Sequence, residues 1–428
     1  TPLYSSAASD VYKRQVLAFY LFFRKIGIEL TCNKLIGLLR PYVGVEIMLT
    51  EKEKSIIKET VPVLQDKGEI ITSHFYKRMF KQHPELKNMF NQTNQQKGLQ
   101  STALAQSVLA AAVNIEHLEN IMPVVKEIAY KHCALQVPPA GYDIVGENLI
   151  AAIKEVVGLD DDHEIIKTWK KAYQDIADVF ISVEKDIYSQ MAWDGFQPFK
   201  IEEIKHISSD IKSFTVVSDK HDLSQFVPGQ YITVDVSSEK MPYRAKRHYS
   251  IVKGDKQHLT FAVKRDVTTE HEGEVSTILH DELVEGDSIN LSAPVGPFKV
   301  ENLNNEQLFL GSGIGVTPLV PMFNEAVTNG SKAQFIQVTN DVNDAPFESL
   351  INEIATTKES VDYHLHDKNS EGYLDEEKLK DYINEETEIY ICGGTHFLQS
   401  IIKALKEMNV DTNKIHYETF IPKLSVTV

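Results

Sequence analysis

Cysteine is nearly absent from this chain: Cys32, Cys133 and Cys392 are the only three in 428 residues. They lie far apart and form no CxxC pair, so neither a disulfide framework nor a thiolate zinc site is expected, as suits a reducing cytoplasm. Basic charge is also in short supply. Lysine and arginine total 44 against 61 aspartates and glutamates, a net charge of −17. So acidic a surface repels phosphate backbones and anionic lipid, which argues against nucleic acid as a partner. Long apolar runs are missing too. The run Val16–Phe23 has eight residues, whereas a helix that crosses a bilayer needs about 20. Lys13 and Arg14 precede that run, but no small-residue cleavage site follows Phe23 cleanly. Neither an integral membrane segment nor an export signal is therefore expected. Internal repeats and low-complexity tracts are likewise lacking.

What is present is ordinary globular material, 42% hydrophobic and 25% charged, and its length corresponds to about three domains. The first methionine is Met48, and orderly signals begin just after it. Thr50 and Glu53 are spaced as a capping box, hydroxyl and carboxylate each serving a free amide at a helix start. Residues 1–47 are read as a non-native or disordered extension, with the protein proper starting at Met48.

Three rhythms follow. From 48 to 192 apolar residues recur three and four apart, as in Leu104, Val108 and Ala111 or Val125, Ile128 and Ala129, with a long helix fitting Glu164 to Met191. That pattern predicts an all-α domain. From 196 to 302 the period falls to two, in Ile232, Val234 and Val236 and again in Leu259, Phe261 and Val263, with turns at Pro228-Gly229, Gly254-Asp255 and Gly286-Asp287. Short strands so punctuated predict an antiparallel β-barrel. From 305 to 428, strands at Leu308–Leu310, Phe335–Val338, Tyr363–Leu365 and Ile389–Cys392 alternate with helices after Pro318, Phe347, Asp375 and Phe397. This order predicts an α/β domain with a parallel sheet.

His132 follows Val125, Ile128 and Ala129 at helical spacing, which places it on an apolar face. A lone histidine there is more often a core residue bonded to a carbonyl. In an all-α domain it is also the axial ligand a haem iron takes. Gln100 and Leu104 share a face of another helix, while Tyr76 and Phe90 lie in earlier apolar segments. Together the segments HFYKRMF, HPELKNMFNQTNQQKG, IAYKHC and YDIVGENLI resemble the globin domain of flavohaemoglobins, and the likeness runs from about Met48 to the C-terminus. The resemblance implies a haem-bound globin fused to a ferredoxin-reductase-like module. It makes His132 the proximal iron ligand, Tyr76 and Gln100 distal hydrogen-bonding groups, Leu104 a shaper of the pocket and Phe90 a packing surface for haem b. Lys131, Tyr142 and Glu184 match the proximal network, where a carboxylate accepting Nδ1–H makes an imidazole more basic.

The stretch Arg247-His248-Tyr249-Ser250 suits a flavin nucleotide: arginine for pyrophosphate, tyrosine for the isoalloxazine ring, serine for flavin N5. By itself it reads as a charged strand edge. Gly273, Glu274, Val275 and Ser276 open a helix whose amides can face phosphate, and Pro228-Gly229-Gln230-Tyr231 opens a strand. With the segment from Ala293 to Phe298, these resemble the FAD domain of the ferredoxin-NADP reductase family. That family's usual glutamine is His248 here, a change expected to be tolerated.

Gly311-Ser312-Gly313-Ile314-Gly315-Val316-Thr317-Pro318 follows a strand and opens a helix, letting backbone approach a pyrophosphate. Its spacing resembles the shorter form of ferredoxin-reductase-like domains and makes Gly313 to Pro318 a contact for NAD(P)H. Cys392-Gly393-Gly394 ends a strand where ligands of such sheets bind; the family usually has proline at the position of Gly394. Glu418, Thr419, Phe420, Ile421 and Pro422 match the terminal segment, with Phe420 covering the flavin until nicotinamide displaces it.

The resemblance therefore implies an NAD(P)H-dependent oxidoreductase that passes electrons through FAD to haem and converts nitric oxide and O2 to nitrate. The chain is read as monomeric and cytoplasmic. Reduction of peroxides or, without oxygen, of nitric oxide uses the same path and stays open. So does a haem-based gas sensor or oxygen carrier, although two reductase domains would then be superfluous. The sequence does not decide between NADH and NADPH.

Overall fold

The computed structural model describes residues 49–267 and 272–422. The reading of residues 1–47 lies outside the described residues. The first helix, α1 (Glu51–Glu59), starts as its sequence dictates: the Thr50 hydroxyl accepts from the Glu53 amide and the Glu53 carboxylate accepts from the Thr50 amide. Five longer helices follow: α2 (Val61–Gln82), α3 (Leu99–Val113), α4 (Met122–Leu135), α5 (Gly141–Val157) and α6 (Glu164–Tyr188). Small residues set two of the crossings. A Cβ on Gly68 of α2 would stand 3.4 Å from Ala105 of α3, and one on Gly146 of α5 would strike the Tyr173 ring of α6 at 2.3 Å. Tyr173 also donates to the Tyr142 carbonyl at 2.6 Å, so α5 and α6 are locked beside the residues that matter below.

Six strands then close a barrel in the order β1-β2-β5-β4-β3-β6. They are β1 (Gln197–Ser208), β2 (Ile211–Val217), β3 (Tyr231–Val236), β4 (Ala245–Gly254), β5 (His258–Lys264) and β6 (Ser288–Leu291). The alternating apolar positions face inward. Phe199, Phe214, Ile232, Val234, Leu259, Phe261 and Val263 form its core, and α7 (Glu274–Asp281) adds Val275, Ile278 and Leu279. Polar bonds join barrel to helices at one loop: Asn88 accepts from the Arg244 amide at 2.8 Å and from Lys246 Nζ at 2.9 Å.

The last region is a parallel sheet in the order β11-β10-β7-β8-β9: β7 (Glu306–Ser312), β8 (Ala333–Thr339), β9 (Val361–Asp367), β10 (Thr387–Cys392) and β11 (Ile415–Glu418). Strands buried on both faces read as continuous apolar runs. Phe309, Phe335 and Tyr390 pack with α8 (Val316–Asn329) and α9 (Glu348–Ala355). Leu308, Leu310, Ile389 and Ile391 pack with α10 (Thr395–Glu407).

All four expected strands lie within observed ones. α8 starts at Val316, ahead of Pro318, because a proline in the first turn forfeits no intrahelical bond. After Asp375 only one turn forms, Glu376–Leu379. The strand β11 escapes the sequence pattern: Ile415 and Tyr417 alternate with His416 and Glu418, but four half-buried residues are too short a run to stand out. Among the described residues no helix is long and apolar enough to cross a membrane.

Candidate functional site

α4 presents His132 with one ring nitrogen fully committed. Its Nδ1 lies 2.7 Å from Glu184 Oε1 and 2.9 Å from the Tyr142 hydroxyl, and that hydroxyl donates to the same carboxylate oxygen at 2.5 Å. Glu184 is only 2% exposed. Burial, then the hydrogen bond to Glu184, pushes the Tyr142 hydroxyl well above the usual phenol range. A carboxylate can only accept, so Nδ1 carries the proton and Nε2 keeps its lone pair. Nε2 has no protein hydrogen bond among the described residues, and His132 lines a cavity. Such a histidine, oriented from behind and open in front, can ligate a metal.

Tyr76 of α2 and Gln100 and Leu104 of α3 line the same cavity, with Phe90 beside them. Tyr76 packs edge-on against Phe75 and Phe90, at 4.7 and 5.8 Å between ring centres. Burial raises its hydroxyl well above the ordinary value, opposed by hydrogen bonds with Gln100 and Gln95. Gln95 was not anticipated. It sits in a one-turn helix (Gln92–Gln96); no periodicity marks a residue in so short an element.

On the barrel side, register does the positioning: Tyr231 pairs with Ser250, and Thr233 with His248. His248 Nδ1 is 2.8 Å from the Thr233 hydroxyl. Burial, helped by Lys131 and Arg247, holds His248 down at about 3, so it is a neutral ring. Lys131, Tyr231, Arg247, His248 and Ser250 all line the cavity. The Arg247 guanidinium donates to the Lys246 carbonyl at 2.8 Å and lies 3.6 Å from Glu274 at the start of α7. Gly273, Val275 and Ser276 stand behind this pair, outside the cavity wall; the Ser276 hydroxyl accepts from the Asp266 amide at 3.1 Å. Tyr249 also lies off the wall. It stacks on Phe261 at 5.7 Å and packs on the barrel core.

The sheet assembles the third group by register. Gly311 pairs with Cys392, and Cys392 with Glu418, so three strand ends meet at one carboxyl edge. A Cβ on Gly315 would lie 2.4 Å from the Cys392 carbonyl oxygen, which shows how closely the turn after β7 approaches β10. Gly313 has φ +55° with open space around it. Ile314, Val316, Thr317 and Pro318 continue from that turn into α8, and Gly393 packs under Phe397. The Cys392 thiol is fully buried and pushed well above the usual thiol range by burial and then Glu418. It is therefore no thiolate and suits packing rather than redox chemistry. Glu418, Thr419, Phe420, Ile421 and Pro422 line the cavity, while the turn from Gly313 to Pro318 does not.

A single cavity of about 1240 Å³ thus carries walls from all three regions, above the usual 300–1,000 Å³ of one small-molecule site. Two observations test what it suits. Around His132 its lining is apolar, with Leu104, Val108, Ala111, Ile128, Leu135 and Phe180, as a flat apolar group with a coordinating metal requires. The Tyr231 hydroxyl is buried with no partner, a donor waiting for a ligand atom.

Residues 73–180 match the globin family model, and residues 198–300 match the oxidoreductase FAD-binding domain. A flavohemoprotein of Oceanobacillus iheyensis is 40% identical over 395 residues, covering 88% of this chain and 97% of that one. The Bacillus subtilis flavohemoprotein is 39% identical over 405 residues, covering 89% and 99%. The crystal structure of flavohemoglobin from Malassezia yamatoensis, with bound FAD and heme, has a TM-score of 0.79 at 23% identity, covering 87% of this chain and 99% of that one. That last likeness is one of fold.

Proposed function

Because this chain belongs to the flavohemoprotein family, we propose that it is a nitric oxide dioxygenase, an NAD(P)H-dependent oxidoreductase that turns nitric oxide and O2 into nitrate. The observation that carries the proposal is the one cavity shared by His132, by Arg247 and Ser250, and by Phe420. On this reading the boundaries are 48–192 for the globin, 196–302 for the flavin barrel and 305–428 for the nicotinamide domain, in a monomeric cytoplasmic enzyme.

The residues divide the work by position. His132 would hold haem iron through Nε2, with Glu184 taking the Nδ1 proton and Tyr142 steadying the carboxylate. Tyr76 and Gln100 offer hydrogen bonds on the opposite wall, while Leu104 and Phe90 exclude water. Arg247 would neutralise the FAD pyrophosphate and Ser250 would face its reactive edge. Phe420, 49% exposed at the cavity mouth, would shield that edge and yield to nicotinamide. When bound, FAD takes a hydride and releases electrons singly, and haem iron supplies the centre at which O2 becomes reactive toward nitric oxide. Electron balance then requires two nitric oxide and two dioxygen molecules per NAD(P)H.

Purified holoprotein given NADH and oxygen should consume nitric oxide and form nitrate in that ratio. Consumption no greater than in a haem-free control would overturn the proposal. Tyr76→Phe should keep its haem yet lose roughly ten- to a hundredfold in turnover, the worth of one hydrogen bond to a charged group. Glu184→Gln, which keeps an acceptor but not the charge, should lose a similar factor and lower the iron–histidine stretching frequency. An unchanged frequency would leave Glu184 only a packing role.

A further inference from the structure

We propose that His364, His366 and Glu371, at the free edge of the nucleotide-binding sheet, form a divalent transition-metal site suited to zinc. Two residues apart on β9, His364 and His366 share one face of the strand. The chain then turns through Lys368–Glu371 and brings Glu371 back over them. Their ligand atoms all lie within 4.8 Å of one another. Glu371 Oε2 is 3.5 Å from His364 Nε2 and 3.4 Å from His366 Nδ1. Those separations are too long for good charge-assisted hydrogen bonds, which run to about 2.7–2.9 Å. They match instead the edge of a tetrahedron: ligands at about 2.0–2.2 Å from zinc stand roughly 3.3–3.5 Å apart.

The remaining atoms of the cluster are already tied down. Glu371 Oε1 accepts from the Asp367 amide at 2.8 Å. His366 Nε2 lies 2.9 Å from the Gly372 carbonyl oxygen, an acceptor that places the ring proton on Nε2. Nδ1 is then the ring atom that faces Glu371 Oε2. His366 is 1% exposed, and its carbonyl-bound second nitrogen is the usual support of a metal-bound histidine. His364 and Glu371 are reachable from solvent, which gives the ion an entry path and leaves a fourth position for water. Two imidazoles and a carboxylate favour zinc over magnesium or calcium, which prefer all-oxygen shells. The Asn369 side-chain amide also donates to the Asn340 carbonyl, so a bound ion would clasp β9 to the turn beyond the end of β8.

The test uses intact holoprotein, stripped with a chelator and dialysed against micromolar zinc chloride, with zinc and iron counted by elemental analysis. Wild type should hold one zinc per chain beyond His364→Ala and Glu371→Gln, each binding at least about tenfold more weakly. Haem and flavin content, unchanged in both variants, shows that they are folded. Zinc-edge X-ray absorption should find two imidazole nitrogens, and zinc should raise the melting temperature of wild type alone. No zinc uptake by wild type, or undiminished binding in either variant, overturns the site.

Discussion

His132→Ala is expected to purify without haem iron while keeping its flavin and its NADH-driven flavin reduction. Its ring lines the cavity, and Glu184 and the Tyr142 hydroxyl hold its Nδ1 from behind. Alanine removes the ligand and also strands the buried Glu184 carboxylate, leaving it the Tyr142 hydroxyl alone. An unpaired buried polar group costs about 1–3 kcal/mol, more when charged, so the helical region should also melt earlier. The barrel core runs from Phe199 to Ala293 with Trp193 just ahead of β1, and none of it comes from α4, so the flavin should remain. The measurement is the ratio of iron to FAD in purified protein, near zero for the variant, with free imidazole restoring part of the haem band. A variant retaining stoichiometric haem would show that another group binds the iron.

Gly315→Ala should have the second-largest effect, on the opposite end of the electron path. The added Cβ would meet Cys392 O at 2.4 Å, Cys392 C at 2.5 Å and the Gly393 Cα at 2.6 Å. All three are backbone, so no side chain can swing aside and the end of β10 must move. Gly315 has φ −62°, which alanine adopts freely, so the harm is steric and not conformational. Such overpacking costs typically about 1–3 kcal/mol. On the proposed function the displaced strand end is part of the nicotinamide site, and flavin reduction by NADH should slow more than about tenfold. Gly313→Ala is the control: its φ is +55° but nothing lies within 4 Å, so it should be milder. Stopped-flow reduction of both variants decides, and equal rates for Gly315→Ala and wild type would refute the close approach.

Much of this architecture is legible in the chain because burial leaves periodic traces. The inward positions of β3 and β5 alternate, and those of α3 and α4 recur at helical spacing, so the three regions declare themselves. The capping box at Thr50 is equally local and readable. β11 is not, since four residues give too short an alternation to stand out and its pairing with β10 supplies the rest. Gln95 was invisible for a similar reason: its importance comes from where a one-turn helix happens to be carried. The pairing of His132 with Glu184 spans 52 positions, a separation no spacing rule detects.

The contacts of Asn88 with Arg244 and Lys246 carry one more consequence. Helical region and barrel are portions of one polypeptide, held against a common hollow, so whatever gives up an electron and whatever receives it are present at a concentration set by tether and geometry. Dilution leaves that local concentration unchanged. A reductase and a globin made as separate proteins would slow as they became scarce; joined in this way, each molecule works at its own pace however few there are.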